Sequence, residues 1–255
     1  MKYITGVYWE AGCAAALNQD SVVLLQALTA RGRVLMAAVC DGMGGHARGE
    51  MASGYVTRRL QEWFYGPLLR SLRKKKPYWV IRRSLERLVY HMQEQLSQYG
   101  RREQIWLGTT MTVLVIWEKT YLLWHLGDSR AYHWREREGY GIRKGRSVCG
   151  EKRQKPVCMT QDHVQGENRL TKCVGSFGFM RPDFRMGMMR SGQAVLLCSD
   201  GFWHKIMEDE LADVLRPGQI RDEEQIVHRL REIGGICMKR GERDNMSAIY
   251  VKTDR

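Results

Sequence analysis

The chain has 255 residues and 44% hydrophobic content, which suits one large domain or two small ones, and its apolar runs are far shorter than the ~20 residues of a membrane span. The formal net charge of +13 is concentrated in 68–87 and 135–155, which carry no nucleic-acid-binding motif, so a solvated basic surface is favoured over a nucleic-acid site. Neither a signal peptide nor a CxxC pair is present, which predicts a cytoplasmic protein without a zinc ribbon or redox motif.

Short β-rich runs alternate with two or three longer helical patterns along the chain. The first helical pattern covers 49–64. In the second, 78–99, apolar residues recur every three or four positions until Gly100. A third helical region covers 208–215 and 222–240. This order favours antiparallel sheets covered by helices over a regular βαβ alternation. The runs that are typical of strands are 3–9, 21–28, 33–40, 109–117, 120–126, 130–135, 193–199 and 246–252.

Acidic corners at the ends of apolar runs are the main chemical signal. In each of three corners, an aspartate is followed by Gly or Asn, residues that permit a sharp turn, and such a carboxylate is a suitable ligand for a hard metal ion. One Asp-Gly pair is only a common turn dipeptide, but several corners together predict carboxylates gathered around divalent cations. The corners are Asp41, Asp200 and Asp244, with Asp20 and Asp128 in similar settings.

Eight segments carry a resemblance to a known family, because they occur together in one order. They resemble the metal-dependent Ser/Thr protein phosphatases, the type 2C or PPM family, in its bacterial form. The resemblance extends from about residue 5 to 252, and DGMGGHxxGExAS is its most specific part. The segments are NQDS (18–21), DGMGGHARGEMAS (41–53), LGTTMTVLV (107–115), LGDSRAY (126–132), QDH (161–163), LTKCVGS (170–176), LLCSDG (196–201) and ERDNMSAI (242–249).

The resemblance implies a fold and a metal centre. The fold would be α+β, a four-layer αββα sandwich in which helices flank two central antiparallel sheets, within a single catalytic domain over 1–255. The metal centre would lie at one end of the sandwich. There, Asp41 would bridge two Mn²⁺ or Mg²⁺ ions, the carbonyl of Gly42 would complete one of them, and Asp200 and Asp244 would bind the other.

Two further aspartates have weaker roles by the same resemblance. Asp20 would hold coordinated waters, and Asp128 would help to bind a third, weaker metal ion. Thr109 and Thr110 are expected to support the site from their strand. His46 is expected to be structural, since the position directly after Asp-Gly, where eukaryotic relatives place a candidate acid, is not histidine here.

The chemistry of such a centre also follows from the residue types. Two cations ~3.5–4 Å apart neutralise a phosphate monoester and lower the pKa of a shared water, which then attacks phosphorus without a phosphoenzyme. Ligands that are all oxygen suit Mg²⁺ and Mn²⁺ better than zinc. The catalytic role of Asp41, Asp200 and Asp244 would thus be exerted through metal-bound water.

The chain departs from the family pattern at four places. Ala15 stands where many members carry an arginine that grips the substrate phosphate, and Gln19 replaces an acidic residue. Only 164–169 separates two of the matching segments, which predicts a shortened or absent flap. The basic connection 135–155 is longer than expected; it is interpreted either as a solvated loop or as a segment that attracts phosphorylated substrate.

Three functions remain open at this point. The first is an active phosphatase whose partners are phosphorylated protein substrates, with a Ser/Thr kinase or its targets as candidate partners, and with neither nucleic acid nor a membrane span. The second is a catalytically weak family member that binds phosphoproteins as a regulatory module. The third is a metal-dependent nuclease, for which only the positive charge argues.

Overall fold

Antiparallel strands form the centre of the molecule. The structure, a computed structural model, describes residues 1–13, 17–44, 48–135, 155–166, 169–175 and 180–254. Its strands in chain order are β1 (Lys2–Glu10), β2 (Asp20–Thr29), β3 (Gly32–Gly44), β4 (Leu107–Thr109), β5 (Met111–Trp117), β6 (Thr120–Leu126), β7 (Arg130–Trp134), β8 (Val157–Cys158), β9 (Val164–Gln165), β10 (Arg169–Leu170), β11 (Asp183–Met188), β12 (Ala194–Cys198) and β13 (Met246–Asp254).

Two sheets account for most of these strands, and the pairs within them are antiparallel. One sheet has the order β11-β6-β5-β3-β2, with β4 paired to the end of β3. The other has the order β1-β13-β12-β7-β8. The short strands β9 and β10 form a separate hairpin. All eight predicted runs fall on strands, although 109–117 is divided between β4 and β5. Strand β11 was missed because DFRMGM, at an exposed sheet edge, contains none of the β-branched residues that are typical of strands.

Helices cover the outer faces of the sheets. A π-helical turn over Phe64–Leu68 joins the first helix to the second. The helices are α1 (Gly49–Trp63), α2 (Leu69–Arg73), α3 (Tyr78–Glu103), α4 (Asp200–Trp203), α5 (Glu208–Val214) and α6 (Glu223–Lys239), and a 3₁₀ turn covers Pro217–Gln219. None of the helices in the described ranges is long and apolar enough to cross a membrane.

The hydrophobic core has three layers, which confirm the predicted αββα sandwich. Strand β3 shows why: from Val34 to Cys40, the even-numbered side chains pack towards α1 and α3, and the odd-numbered ones lie in the layer between the two sheets. Such alternation follows from the two-residue period of a strand. A third layer joins the second sheet to α6 through residues such as Ile226, Leu230 and Ile233. Because both sheets are covered on both faces, their central strands are continuously apolar.

Helix α3 continues beyond its predicted end at Gly100. It runs to Glu103 and ends with Gln104 in the left-handed conformation, at φ 54°. A Cβ at position 100 would lie 2.8 Å from the carbonyl oxygen of Ile105, and the amide of Ile105 donates a hydrogen bond to the carbonyl of Gly100. The glycine therefore permits the chain to fold back closely on the helix rather than ending it.

Candidate metal centre

The predicted acidic corners come together at one end of the sandwich. Asp41, on β3, is the direct register partner of Asp20 on β2. Asp200 follows β12 and Asp244 precedes β13, and these two strands are neighbours in the other sheet. Asp128 lies in the turn between β6 and β7. The ends of both sheets thus bring five carboxylates from distant parts of the chain into one region.

An open cleft of about 1100 Å³ lies over these carboxylates. Its lining includes Asp41 with Gly42, together with Asp128, Asp200 and Asp244. Asp20 is buried beneath this surface, with a relative exposure of 2%. Asp20 thus lies outside the lining of the cleft, whereas the other four aspartates belong to it. The expected role of Asp20 in holding coordinated waters stays a prediction.

Burial and mutual repulsion raise the pKa values of these aspartates. Burial is the main cause for Asp41, whose pKa lies well above its usual range; the charges of Asp20, Asp200 and Asp128 add to it, as does a hydrogen bond with the Asp200 carboxyl group. Burial also raises the pKa of Asp128 to about 7, and the charge of Asp200 is the next largest cause. The pKa of Asp244 is raised by burial and then by Asp200. The site therefore favours bound protons or cations.

Asp20 gives the clearest sign that this set of charges favours a bound cation. Burial raises its pKa to about 7, the hydroxyls of Ser247 and Ser199 partly offset this, and the charges of Asp200 and Asp244 increase it. Both carboxylate oxygens are buried, and neither meets the geometry of a hydrogen bond with a described residue, so the two serine hydroxyls are only weak polar contacts. A buried, unpaired carboxylate is costly unless a proton or a cation compensates it.

The donor atoms fit Mn²⁺ or Mg²⁺ by their chemistry. They are carboxylate oxygens and the backbone carbonyl of Gly42, which are the hard ligands that these ions prefer. In the described ranges, no three His, Cys, Asp or Glu side chains are already arranged to hold an ion by themselves. All of the donors named here are oxygen atoms, whereas a structural zinc site typically has four Cys or His ligands.

The backbone of Asp41 is held by two threonines, as predicted. The hydroxyl of Thr110 accepts a hydrogen bond from the Asp41 amide at 2.8 Å. The Thr110 amide and the Thr109 hydroxyl both donate to the Asp41 carbonyl, each at 2.8 Å. The Thr110 hydroxyl also pairs with that of Ser129 at 2.8 Å, next to Asp128. These contacts connect the position of Asp41 to that of the Asp128 turn.

Two glycines make a close backbone contact beside Asp41. A Cβ at Gly42 would lie 2.2 Å from the carbonyl oxygen of Gly49, and a Cβ at Gly49 would lie 2.5 Å from the carbonyl oxygen of Gly42. The amide of Gly42 donates to the carbonyl of Gln19 at 3.1 Å. Only residues without a side chain fit this contact, so Gly49, the glycine of the GExAS segment, positions the first turn of α1 against the predicted ligand Gly42.

Asn245 has a structural role that sequence reasoning missed. Its Oδ1 accepts a hydrogen bond from the amide of Gln19 at 2.8 Å, and its Nδ2 donates to the carbonyl of Ala11 at 2.6 Å. It thus ties the Asp244 corner to the segment that leads into Asp20. The signal was present in the sequence as an Asn beside the corner, but its partners lie more than 200 residues away in the chain.

The Asp128 turn is held from the other side by an arginine and a tryptophan. The Nε1 of Trp203 donates to the Asp128 carbonyl at 3.2 Å. The guanidinium of Arg130 lies 3.2 Å from the centre of the Trp203 ring and makes a double hydrogen bond to Asp162, with shortest distances of 2.7 and 3.1 Å. The QDH segment therefore supports the GDSR segment through this ion pair.

The remaining predictions concern residues around the site. His163 is buried, accepts a hydrogen bond from the amide of Gly127 at 3.1 Å and stacks on His125 at 5.0 Å, which is a structural role. In place of a helical flap, the described residues after the QDH segment form the β9–β10 hairpin. Ala15, His46 and all of the basic segment 135–155 except its ends lie outside the described residues.

The fold and the acidic cleft place the chain in a known structural class. The S. agalactiae serine/threonine phosphatase has a TM-score of 0.78 with it at 20% identity, and the match covers 99% of this chain and 100% of that one. The catalytic domain of the phosphatase PstP in complex with two manganese ions has a TM-score of 0.72 at 24% identity, over 99% of both chains. At these identities the comparison shows the fold.

The sequence comparison then shows the family. The Protein phosphatase 2C profile matches residues 14–233, and the chain belongs to this family. It is 28% identical to the serine/threonine protein phosphatase PstP of Mycobacterium tuberculosis over 250 residues, which cover 95% of this chain and 43% of PstP. It is 26% identical to the protein phosphatase PhpP of Streptococcus pneumoniae over 201 residues, 78% of each chain. The chain thus spans less than half the length of PstP.

Proposed function

We propose that this chain is a metal-dependent phosphoserine/phosphothreonine protein phosphatase. The observation that carries the proposal is the convergence of Asp41, Asp128, Asp200 and Asp244 on one open cleft, with raised pKa values for three of them. Membership of the Protein phosphatase 2C family supports it, as do the relatives PstP, named a serine/threonine protein phosphatase, and PhpP, named a protein phosphatase. A nuclease has no comparable support.

The residues that would hold the metal ions are those of the acidic cleft. Asp41 and the carbonyl of Gly42 would bind on one side, and Asp200 and Asp244 on the other, while Asp128 would contribute to a weaker third site. Bound Mn²⁺ or Mg²⁺ would supply the positive charge that neutralises a phosphate monoester and acidifies water. The two manganese ions in the PstP catalytic domain support this choice of metal.

The protein's own residues prepare the cleft for that chemistry. The threonine hydrogen bonds and the Gly42–Gly49 contact fix the Asp41 corner before any ligand binds, so little reorganisation is needed. Buried Asp20 adds negative potential behind the corner and would hold coordinated waters in place. The cleft is open, and among the described residues a short hairpin borders it where the flap was predicted to be shortened or absent; such an opening suits a phosphorylated side chain on a protein substrate.

The test is hydrolysis of two substrates of different size. Purified protein is given p-nitrophenyl phosphate and a phosphothreonine peptide, with Mn²⁺ and then with excess EDTA. Release of phosphate from both that depends on Mn²⁺ is the expected result. Peptide binding without turnover would instead support the regulatory module, and hydrolysis of nucleic acid alone would support the nuclease.

A further inference from the structure

One arginine faces the acidic cleft. Of the described residues that line it, Arg169 is the only Lys or Arg. Its side chain is exposed, and within the described ranges it has no ion-pair partner. The cleft therefore has an acidic wall, formed by its aspartates, and also a guanidinium that no described carboxylate neutralises.

The hairpin that carries Arg169 is anchored. Arg169 on β10 is the direct register partner of Gln165 on β9, and directly opposed residues of an antiparallel pair share a face. Both of them line the cleft. At the base of the hairpin, the Thr171 amide donates to the His163 carbonyl at 2.8 Å, and the His163 amide donates to the Gly127 carbonyl at 2.8 Å. The position of Arg169 is therefore set by contacts to the turn that holds Asp128.

The neighbouring cation is already engaged elsewhere. The Nζ of Lys172 lies 3.0 Å from Oδ1 of Asp183 and 3.2 Å from Nε2 of His163. These contacts hold Lys172 against the edge strand β11. It is absent from the cleft lining, which leaves Arg169 as the cation of this hairpin that is available to a ligand in the cleft.

We infer that Arg169 binds the phosphate group of the substrate, an inference that rests on the proposed function. A phosphate monoester is a dianion with three terminal oxygens. Oxygens turned away from the acidic wall would still need donors, and a planar guanidinium supplies two parallel N–H groups in the spacing that phosphate accepts. This assigns phosphate binding to the β9–β10 hairpin rather than to position 15 or to the basic segment 135–155.

The experiment compares three variants with the wild type. Arg169→Ala removes the guanidinium, Arg169→Lys keeps the charge but not the fork, and Arg185→Ala removes an equally exposed arginine of β11 that does not line the cleft. KM and kcat are measured with p-nitrophenyl phosphate and with a phosphothreonine peptide at saturating Mn²⁺, together with the inhibition constant of inorganic phosphate. Thermal unfolding of each variant checks the fold.

Loss of a charge-assisted double hydrogen bond predicts a rise of KM by roughly 10- to 100-fold in Arg169→Ala, for both substrates, with a much smaller change in kcat. The inhibition constant of phosphate should rise by the same factor in Arg169→Ala. The KM of Arg169→Lys should lie between the values of the wild type and Arg169→Ala, and the KM of Arg185→Ala should equal that of the wild type. An unchanged KM for p-nitrophenyl phosphate in Arg169→Ala, or an equal effect in Arg185→Ala, would overturn the inference.

A binding measurement separates this inference from the proposed function. Fluorescence anisotropy with a labelled phosphothreonine peptide and its unphosphorylated counterpart reports affinity whether or not turnover occurs. Even if the wild type proved inactive, preferential binding of the phosphopeptide that Arg169→Ala weakens by the same factor would support phosphate binding by Arg169. Equal affinity of the wild type and Arg169→Ala for the phosphopeptide would refute phosphate binding by Arg169, even if the wild type hydrolyses both substrates.

Discussion

The Gly42–Gly49 contact allows a sharp test of how the metal centre is positioned. In Gly49→Ala, the new Cβ would lie 2.5 Å from the Gly42 carbonyl oxygen and 2.6 Å from its carbonyl carbon. Favourable contacts between such atoms need about 3.5 Å, so the two backbone segments must separate by about 1 Å. Both partners are backbone atoms, so no side-chain rotation can relieve the clash.

A shift of this size is expected to reduce activity strongly, because a misplacement of about 1 Å at a catalytic site can cost on the order of 100-fold in rate. The predicted result for Gly49→Ala is a fall in kcat/KM by about that factor and a higher Mn²⁺ concentration for half-maximal activity. The free energy of unfolding should fall by about 1–3 kcal/mol, the usual cost of overpacking. Steady-state kinetics over a Mn²⁺ series and urea unfolding measure these quantities.

The matched control is Gly54→Ala in the same helix. A Cβ at position 54 has no atom within 4 Å, and an alanine in a helix is favoured over glycine by up to about 1 kcal/mol. This variant should be as active as the wild type and as stable or more so. A Gly49→Ala protein with normal kcat/KM and normal Mn²⁺ dependence would refute the argument that the close contact positions the Gly42 carbonyl.

Three further predictions concern the carboxylates and their supports. Asp41→Asn should abolish turnover, while circular dichroism shows that the protein stays folded. The control Asp254→Asn, at an exposed strand end, should leave activity unchanged. Normal rates in Asp41→Asn would contradict the assignment of Asp41 to the metal centre. Thr110→Val should lower the free energy of unfolding by about 1–3 kcal/mol and also lower kcat, because the Asp41 amide loses its partner; urea unfolding and kinetics test this, and an unchanged kcat would count against it. The pKa values of Asp20 and Asp128 rise from 3.8 to about 7 on folding. At a pH between these values, and without divalent cations, the folded protein therefore binds more protons than the unfolded chain does. Its free energy of unfolding should therefore fall between pH 4 and 7, by on the order of several kcal/mol, and Mn²⁺ should reverse the fall. A flat pH profile would show that burial and repulsion do not raise the pKa values of these carboxylates as described.

The strands were the most predictable part of the fold. Runs such as LMAAVC predict a buried strand, because a central strand in a sheet that is covered on both faces is apolar on both sides. The edge strand β11 was missed, since its exposed side chains give no such run. The end of α3 was misplaced because Gly100 is explained by a tertiary contact with Ile105, which the local sequence does not show.

The candidate site was predictable only where chemistry and local turns coincide. Asp41, Asp200 and Asp244 stand out as acids beside turn residues at strand ends. The roles of Gly49 and Asn245 were missed because both depend on backbone groups of other segments, and their residue types alone suggest only turns. Arg169 was noted merely as part of a short spacer, since nothing in its neighbours indicates that the hairpin turns it towards the acidic wall.

The central claim is that Asp41, the Gly42 carbonyl, Asp200 and Asp244 together hold divalent cations. Anomalous diffraction at the manganese edge from crystals soaked in Mn²⁺ tests it most directly. We expect two strong manganese peaks about 3.5–4 Å apart, one of them beside Gly42 and both in contact with Asp41. Crystals with an ordered, accessible cleft but no peak there, or with manganese only at other surface carboxylates, would contradict metal binding by these four residues.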